Sequence, residues 1–281
     1  MKIIDGKAIA AELRAELKEK IDGSETKPGL AVVIVGEDPA SRIYVRNKIK
    51  ACGELGIRSY SYELPETATQ EEVETLLDDL AQNEEIDGIL LQLPLPKHLD
   101  AEAASSHIPF EKDVDGFSAR NLGLLMQHKE QVVACTPLGV MKILEKEGID
   151  PTGKHAVILG RSETVGKPMA MLLLNANATV TICHSKTKNL KELCLQADIL
   201  ISAIGKANFV TEDMVKKGAI MIDIGINRDE KGKLCGDVDF ERVKGKTSYI
   251  TPVPGGVGPM TITMLLYNTY LRFCSKRGLK K

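Results

Sequence analysis

Short apolar runs alternate with amphipathic segments along almost the whole chain, and this rhythm leaves few folds open. LAVVIVG (30–36), DGILLQL (87–93), HAVILG (155–160), ATVTIC (178–183), ADILISAIG (197–205) and AIMIDIG (219–225) are apolar at nearly every position. Such runs are strands covered on both faces. Between them lie helical patterns. Ile9, Leu13, Leu17 and Ile21 recur every fourth residue, one stripe of a helix. Asp38-Pro39 opens a second helix by cap and first-turn proline; it carries Tyr44 and Lys48 and ends near Gly53 or Gly56. Residues 57–62 alternate as a strand, and 69–83 form a helix opened by a Thr-x-x-Glu capping box. Strand–helix alternation specifies a parallel α/β sheet.

The chain has 281 residues, one large domain or two modest ones at roughly 100–200 residues each. The stretch from His107 to Thr136 is less periodic and holds DVDGF (113–117), which suits a join between two domains. A helix follows Pro137. After Gly153 the pattern restarts as four short strands with helices at 165–175, 189–196 and 211–216, a Rossmann-like unit. TPVPGGVGPMTITMLLYNTYLRF closes the chain as a Gly/Pro loop and a helix from about Pro259. The expected limits are 1–118, joined by the C-terminal helix (about 260–281), and 119–259.

Lys and Arg number 37 against 39 Asp and Glu, a net charge of −2. Nucleic acid and anionic membrane call for a basic surplus and are not expected partners. Aromatics are 4% with no Trp, which removes the usual stacking platforms for single strands. Cys52, Cys135, Cys183, Cys194, Cys235 and Cys274 form no C-x-x-C, and the histidines form no H-x-x-x-H. The cysteines read as buried small hydrophobes in a reducing compartment, and no metal site is expected. MKIIDGKAIAAELRAELKEKI lacks a signal-like apolar core, and no run reaches the roughly 18–20 apolar residues of a span. A cytoplasmic location is the expectation.

Strand 155–160 runs into GRSETVG (160–166) and a helix. Gly160 permits a tight turn, Gly166 lets helix and strand approach, and the helix N-terminus offers free N–H groups to a phosphate. The central glycine of G-x-G-x-x-G is missing, so an ordinary tight turn reads equally well. The end of the next strand discriminates better. NAD-binding folds place an acid there for the ribose 2′-hydroxyl, but CHSKT (183–187) has none. Ser185 and Lys186 can instead donate to a 2′-phosphate, and Arg161 stands in the loop with its planar fork. NADP is therefore expected over NAD. In the first half, Tyr44 and Lys48 share one helix face, at the strand end where α/β sheets place ligands. Gln92 is the polar residue in an apolar strand and needs a partner if buried. Asp113 and Asp115, read alone, are turn formers.

YVRNKIKACGELGI (44–57), LLQLPLP (90–96), DVDGF (113–117), CTPLGV (135–140), VILGRSETVGKPMA (157–170), HSKT (184–187), MIDIGIN (221–227), GDVDF (236–240) and PVPGGVGPMT (252–261) run through nearly the whole chain. In these motifs and in their order the sequence resembles the bifunctional methylenetetrahydrofolate dehydrogenase/methenyltetrahydrofolate cyclohydrolase family. The resemblance implies two α/β domains with the active-site cleft between them, the second binding NADP, and a homodimer through that second domain. It implies that Lys48 is catalytic with Gln92 as its hydrogen-bonded companion, that Asp115 holds the pterin ring of the folate substrate, and that Tyr44 stacks on it. Ser41 falls in the same helix start. Pro252, Gly255 and Gly256 match a loop along the folate pocket. Gly160, Arg161, Ser162, Gly166, Ser185 and Ile226 match the NADP set. Three alternatives stay open from the residues: a shikimate-type NADP dehydrogenase, a nucleotide-sensing module without catalysis, and a dehydrogenase-only member preferring NAD.

Overall fold

The computed structural model describes residues 1–279. The N-terminal elements are β1 (Lys2–Ile3), α1 (Gly6–Asp22), β2 (Gly29–Val35), α2 (Pro39–Leu55), β3 (Arg58–Leu64), α3 (Gln70–Gln82), β4 (Gly88–Leu91), α4 (Ala101–Ser106) and α5 (Ala119–Met126). After these come α6 (Cys135–Lys146), β5 (His155–Leu159), α7 (Gly166–Asn175), β6 (Thr179–Cys183), α8 (Leu190–Cys194), β7 (Ile199–Ser202) and β8 (Ile220–Asp223). The chain closes with β9 (Asn227–Arg228), β10 (Leu234–Cys235), α9 (Phe240–Val243), β11 (Tyr249–Ile250) and α10 (Val257–Arg277). Two compact units result. One holds residues 13–124, 129–133 and those from Leu265 onward; the other holds 1–12, 125–128 and 134–264.

The first unit is built on a three-stranded sheet in the order β3-β2-β4, parallel throughout, with Leu30 opposite Ser59 on one side and Gly88 on the other. The central strand β2 is buried at every position, which is why its sequence is apolar without alternation. The outer strand β3 faces solvent on one side and alternates. Helix α3 lays Val73, Leu77 and Leu80 against Val33, Ile89 and Leu91; burying a side chain such as Leu77 contributes about 1.5–3 kcal/mol. Its start is the capping box read from sequence, Thr69 with Glu72. Helix α2 is capped by Asp38, whose carboxylate accepts from the Ser41 N–H at 2.7 Å, and it stops at Gly56, whose φ of 76° suits glycine. The C-terminal helix is tied to this sheet by charge: Arg277 Nη1 donates to Asp87 at 2.7 Å, while the other Asp87 oxygen accepts from Gly29 N at 2.8 Å.

The second unit carries a six-stranded sheet in the order β1-β11-β8-β7-β5-β6, every pairing parallel. The sequence pattern gives four of these strands. The other two, β11 and β1, are two residues long, too short to carry a periodicity, and β1 finds its partner nearly the whole chain away. Strand β7 ends at Ser202, short of the apolar run that continues to Gly205, because the chain turns there onto a buried carboxylate described below. Helix α6 begins at Cys135, ahead of Pro137; the proline falls in the first turn, where no N–H is needed. Strands β9 and β10 form an antiparallel hairpin that no turn motif announced. All six cysteines are free, five buried and Cys235, on the hairpin, partly exposed. Among the described residues no helix is long and apolar enough to cross a membrane, and no cluster of His, Cys, Asp or Glu could hold a metal ion.

Candidate active site

In the first unit β2 is followed on one side by β3 and on the other by β4, so the strand order reverses beside β2, where such sheets open a ligand crevice at their carboxyl ends. Helix α2 starts just beyond that edge. Tyr44 and Lys48 lie one turn apart on it, Lys48 half-buried and Tyr44 41% exposed, leaving its ring free to be covered. Lys48 Nζ donates to Gln92 Oε1 at 3.0 Å. This is the partner a polar residue in an apolar strand requires. Gln92 prolongs the ladder through its N–H to Val33 O at 2.8 Å, and its amide donates to Leu93 O at 2.6 Å, which turns the carbonyl oxygen toward the lysine. Ser41 is buried, its N–H held by Asp38.

The DVDGF segment divides its two acids. Asp113 is buried and forms the turn: its carboxylate accepts from Gly116 N at 2.8 Å, Ser118 N at 2.9 Å and Asn121 Nδ2 at 2.7 Å. Asn121 Oδ1 in turn accepts from Arg272 Nη2 at 3.2 Å. Asp115 is spared that work. Burial pushes its carboxyl up to about 6, against the pull of the Lys48 cation and with a push from the Asp113 charge. The structure thus brings Lys48, Gln92 and Asp115 into one electrostatic group. The turn-former reading of the two aspartates fits Asp113, and nothing in the local spacing singled out its neighbour.

In the second unit the order β7-β5-β6 puts the reversal beside β5. A cavity of about 290 Å³ opens there, lined by Gly160, Arg161, His184, Ser185, Ile204, Lys206 and Phe209 among others. Gly160 has a φ of 118°, and a Cβ on it would fall on the Ala203 carbonyl; a Cβ on Gly166 would fall on that of Gly160. Both glycines are therefore needed for the turn itself. The loop differs from the sequence expectation in one respect. Ser162 Oγ accepts from the N–H groups of Val165 and Gly166, each at 3.2 Å, and Ser162 O accepts from Lys167 N at 2.9 Å. These opening donors of α7 are used within the loop, so an anion here is met by Arg161 and by the helix dipole more than by free N–H groups.

The cavity fits NADP by its chemistry: its lining holds arginine, lysine, histidine and serine and no carboxylate. Lys206 and Phe209, whose ammonium lies 5.7 Å from the ring centroid, were missed in the sequence because they follow a strand outside any motif. Ile226 stands 53% exposed just past β8, apart from this lining. Pro252, Gly255 and Gly256 belong to the same unit, where the loop packs so closely on the start of α1 that a Cβ on Gly6 would meet the Gly256 carbonyl.

Residues 4–115 match the family model for the tetrahydrofolate dehydrogenase/cyclohydrolase catalytic domain, and residues 134–277 match that for its NAD(P)-binding domain. The bifunctional protein FolD of Campylobacter curvus is 57% identical over 272 residues, 96% of this chain and 94% of that protein. The crystal structure of the bifunctional enzyme FolD from Campylobacter jejuni superposes with a TM-score of 0.95 at 51% identity, covering 99% of each chain. That of the Trypanosoma brucei dehydrogenase-cyclohydrolase, complexed with NADP cofactor and inhibitor, gives 0.92 at 39% identity over 99% of this chain and 98% of its own. With both domain models matched in order and relatives aligned end to end, the chain belongs to the tetrahydrofolate dehydrogenase/cyclohydrolase family.

Proposed function

We infer that the chain oxidises 5,10-methylenetetrahydrofolate to 5,10-methenyltetrahydrofolate with NADP, and hydrolyses that product to 10-formyltetrahydrofolate. The observation that carries this reading is the Lys48–Gln92 hydrogen bond of 3.0 Å in electrostatic reach of Asp115. NADP, when bound, supplies the hydride acceptor, so the first reaction asks the protein for orientation and for no general base. Arg161 and Ser185 would hold its 2′-phosphate, Gly160, Ser162 and Gly166 would shape the turn around the pyrophosphate, and Ile226, 53% exposed, would be a further contact.

The second reaction needs a proton moved. Water adds to the methenyl carbon and loses a proton; the bond from that carbon to N5 then breaks as N5 takes a proton and the new hydroxyl gives up its own to become the formyl oxygen, with one proton released overall. Lys48 is the group placed to carry that proton, and Gln92 Oε1, accepting from Nζ, fixes where the amine points. Asp115, ionised at neutral pH, accepts from the N–H groups of the pterin, whose face is covered by Tyr44. Ser41 supports the start of that helix, and Pro252, Gly255 and Gly256 match the family's folate loop.

The folate-binding domain is taken as 1–118 with the C-terminal helix, and the NADP-binding domain as 119–259. The same reading makes the enzyme a cytoplasmic homodimer whose formyl product feeds purine biosynthesis. Absorbance-monitored turnover of 5,10-methylenetetrahydrofolate with NADP and separately with NAD, with acid-stable methenyl product measured in parallel, tests the whole. Formation of 10-formyltetrahydrofolate only through the NADP reaction is expected. Oxidation that stops at the methenyl product, or runs equally well on NAD, would refute it.

A further inference from the structure

Two carboxylates at the carboxyl end of the six-stranded sheet are almost wholly enclosed: Asp223 is 3% exposed and Asp237 0%. Neither belongs to the sites above, although the sequence marks both, one in MIDIGIN and one in GDVDF. Asp237 collects donors from two stretches of chain, 202–206 and Asn227. Its Oδ2 accepts from Ser202 Oγ at 3.0 Å, Ile204 N at 2.8 Å and Gly205 N at 3.3 Å; its Oδ1 accepts from Lys206 N at 2.8 Å and Asn227 Nδ2 at 2.9 Å. Asp223 anchors Asp237 from behind, accepting from the N–H groups of Gly225, Asp237 and Val238, each at 3.0 Å.

The segment so gathered is one wall of the cavity beside β5. Ala203, Ile204 and Lys206 all line it, and the Ala203 carbonyl is the group that leaves no room for a Cβ on Gly160. A buried anion satisfied by converging N–H dipoles holds its donors in one arrangement, because releasing any of them costs desolvation without return. Asp237 also reaches Asn227, the residue after Ile226. One carboxylate therefore ties together the loop after β7 and the loop after β8.

We propose that Asp237 is a positioning residue for the dehydrogenase half-reaction: through its bonds to Ile204, Gly205, Lys206 and Asn227 it sets the wall that receives NADP, touching neither the cofactor nor the folate. This rests on the functional reading above, and the two are separable because the cyclohydrolase step consumes no NADP.

The test is Asp237→Asn, which turns one acceptor oxygen into a donor facing other donors, beside Asn227→Ala, which removes one bond and leaves the carboxylate. NADP binding is measured by calorimetry on the full-length protein, and the two activities are assayed separately. For Asp237→Asn the Kd and KM for NADP should rise at least about tenfold, as an unpaired buried polar group would cause. Cyclohydrolase kcat/KM on methenyl substrate should stay within about twofold. Asn227→Ala should move NADP affinity the same way by about threefold. NADP affinity unchanged in folded Asp237→Asn, or a parallel fall in both activities, overturns the proposal. Should that variant not fold, unchanged NADP affinity in Asn227→Ala overturns it. A wild-type protein inactive on folate overturns the functional reading instead, and the calorimetric comparison still decides the role of Asp237.

Discussion

Lys48 and Asp115 carry opposite charges in partly buried surroundings, and each is useful for a different property. The lysine is held by one neutral partner, Gln92, so its amine is oriented without being locked into an ion pair. Lys48→Met is expected to lower cyclohydrolase kcat by at least about 100-fold, the scale of a lost proton-transfer group, while NADP binds as before by fluorescence titration. Asp115 has its carboxyl raised to about 6, above the ordinary 3.8, chiefly by burial. The fold therefore favours the protonated acid, and stability is lost as pH rises from about 4 through 6. On the proposed reading, folate recognition requires the ionised form. The KM for folate should accordingly climb as pH falls below about 6. Asp115→Asn should abolish that dependence and weaken folate binding, yet gain about 1–2 kcal/mol of stability at pH 8 by urea titration. That opposition explains why Asp115 escaped the residue-by-residue reading. Its signal lies in burial beside Lys48, whereas the spacing in DVDGF speaks only for the turn that Asp113 makes.

At the level of elements, what was legible followed from local chemistry. The α3 start could be read because Thr69 and Glu72 satisfy each other's backbone within three residues. Thr69→Ala should cost about 0.5–2 kcal/mol in chemical denaturation and leave both activities untouched, since its hydrogen bonds go to Glu72 and Val73 of the same helix and to no site residue. The buried strands β2, β5, β7 and β8 were legible because burial on both faces leaves polar residues only at strand ends, at His155, Ser202 and Asp223. Strands β1 and β11 were not, because their only specification is a pairing partner distant in sequence. The turn after β5 lies between these cases. Its missing glycine made it ambiguous, and the fit of Gly160 against Ala203 decides what the loop must be. Gly160→Ala should lose about 1–3 kcal/mol of stability for a strained left-handed residue and should raise the NADP Kd with it. A variant that kept wild-type NADP affinity in calorimetry would show the turn to be more tolerant than its geometry implies.

For the molecule as a whole, a near-neutral net charge of −2 coexists with two anionic ligands because a few cations stand at the sites, Arg161 and Lys206 at one and Lys48 at the other. Arg161→Ala should therefore lower NADP affinity about 10- to 100-fold and barely change that for NAD, the loss of a charge-assisted phosphate contact, read by titrating both nucleotides. The binding units were foreseeable from the restarting strand–helix rhythm; the membership of residues 1–12 in the unit of the six-stranded sheet was not, since no local pattern encodes it. The paired acids of that sheet have a further consequence for which sequences this fold can accept. A Cβ on Gly236 would fall on the Asp223 carboxylate, and one on Gly225 on that of Asp237. Each acid thus excludes every side chain from one glycine, and each glycine makes room for one acid. The two glycines are therefore hostage to the two acids. A library that randomises position 225 or 236 should return glycine while the facing acid stays, so a side chain can enter there only after that acid has been shortened, which fixes the order in which stepwise change could proceed.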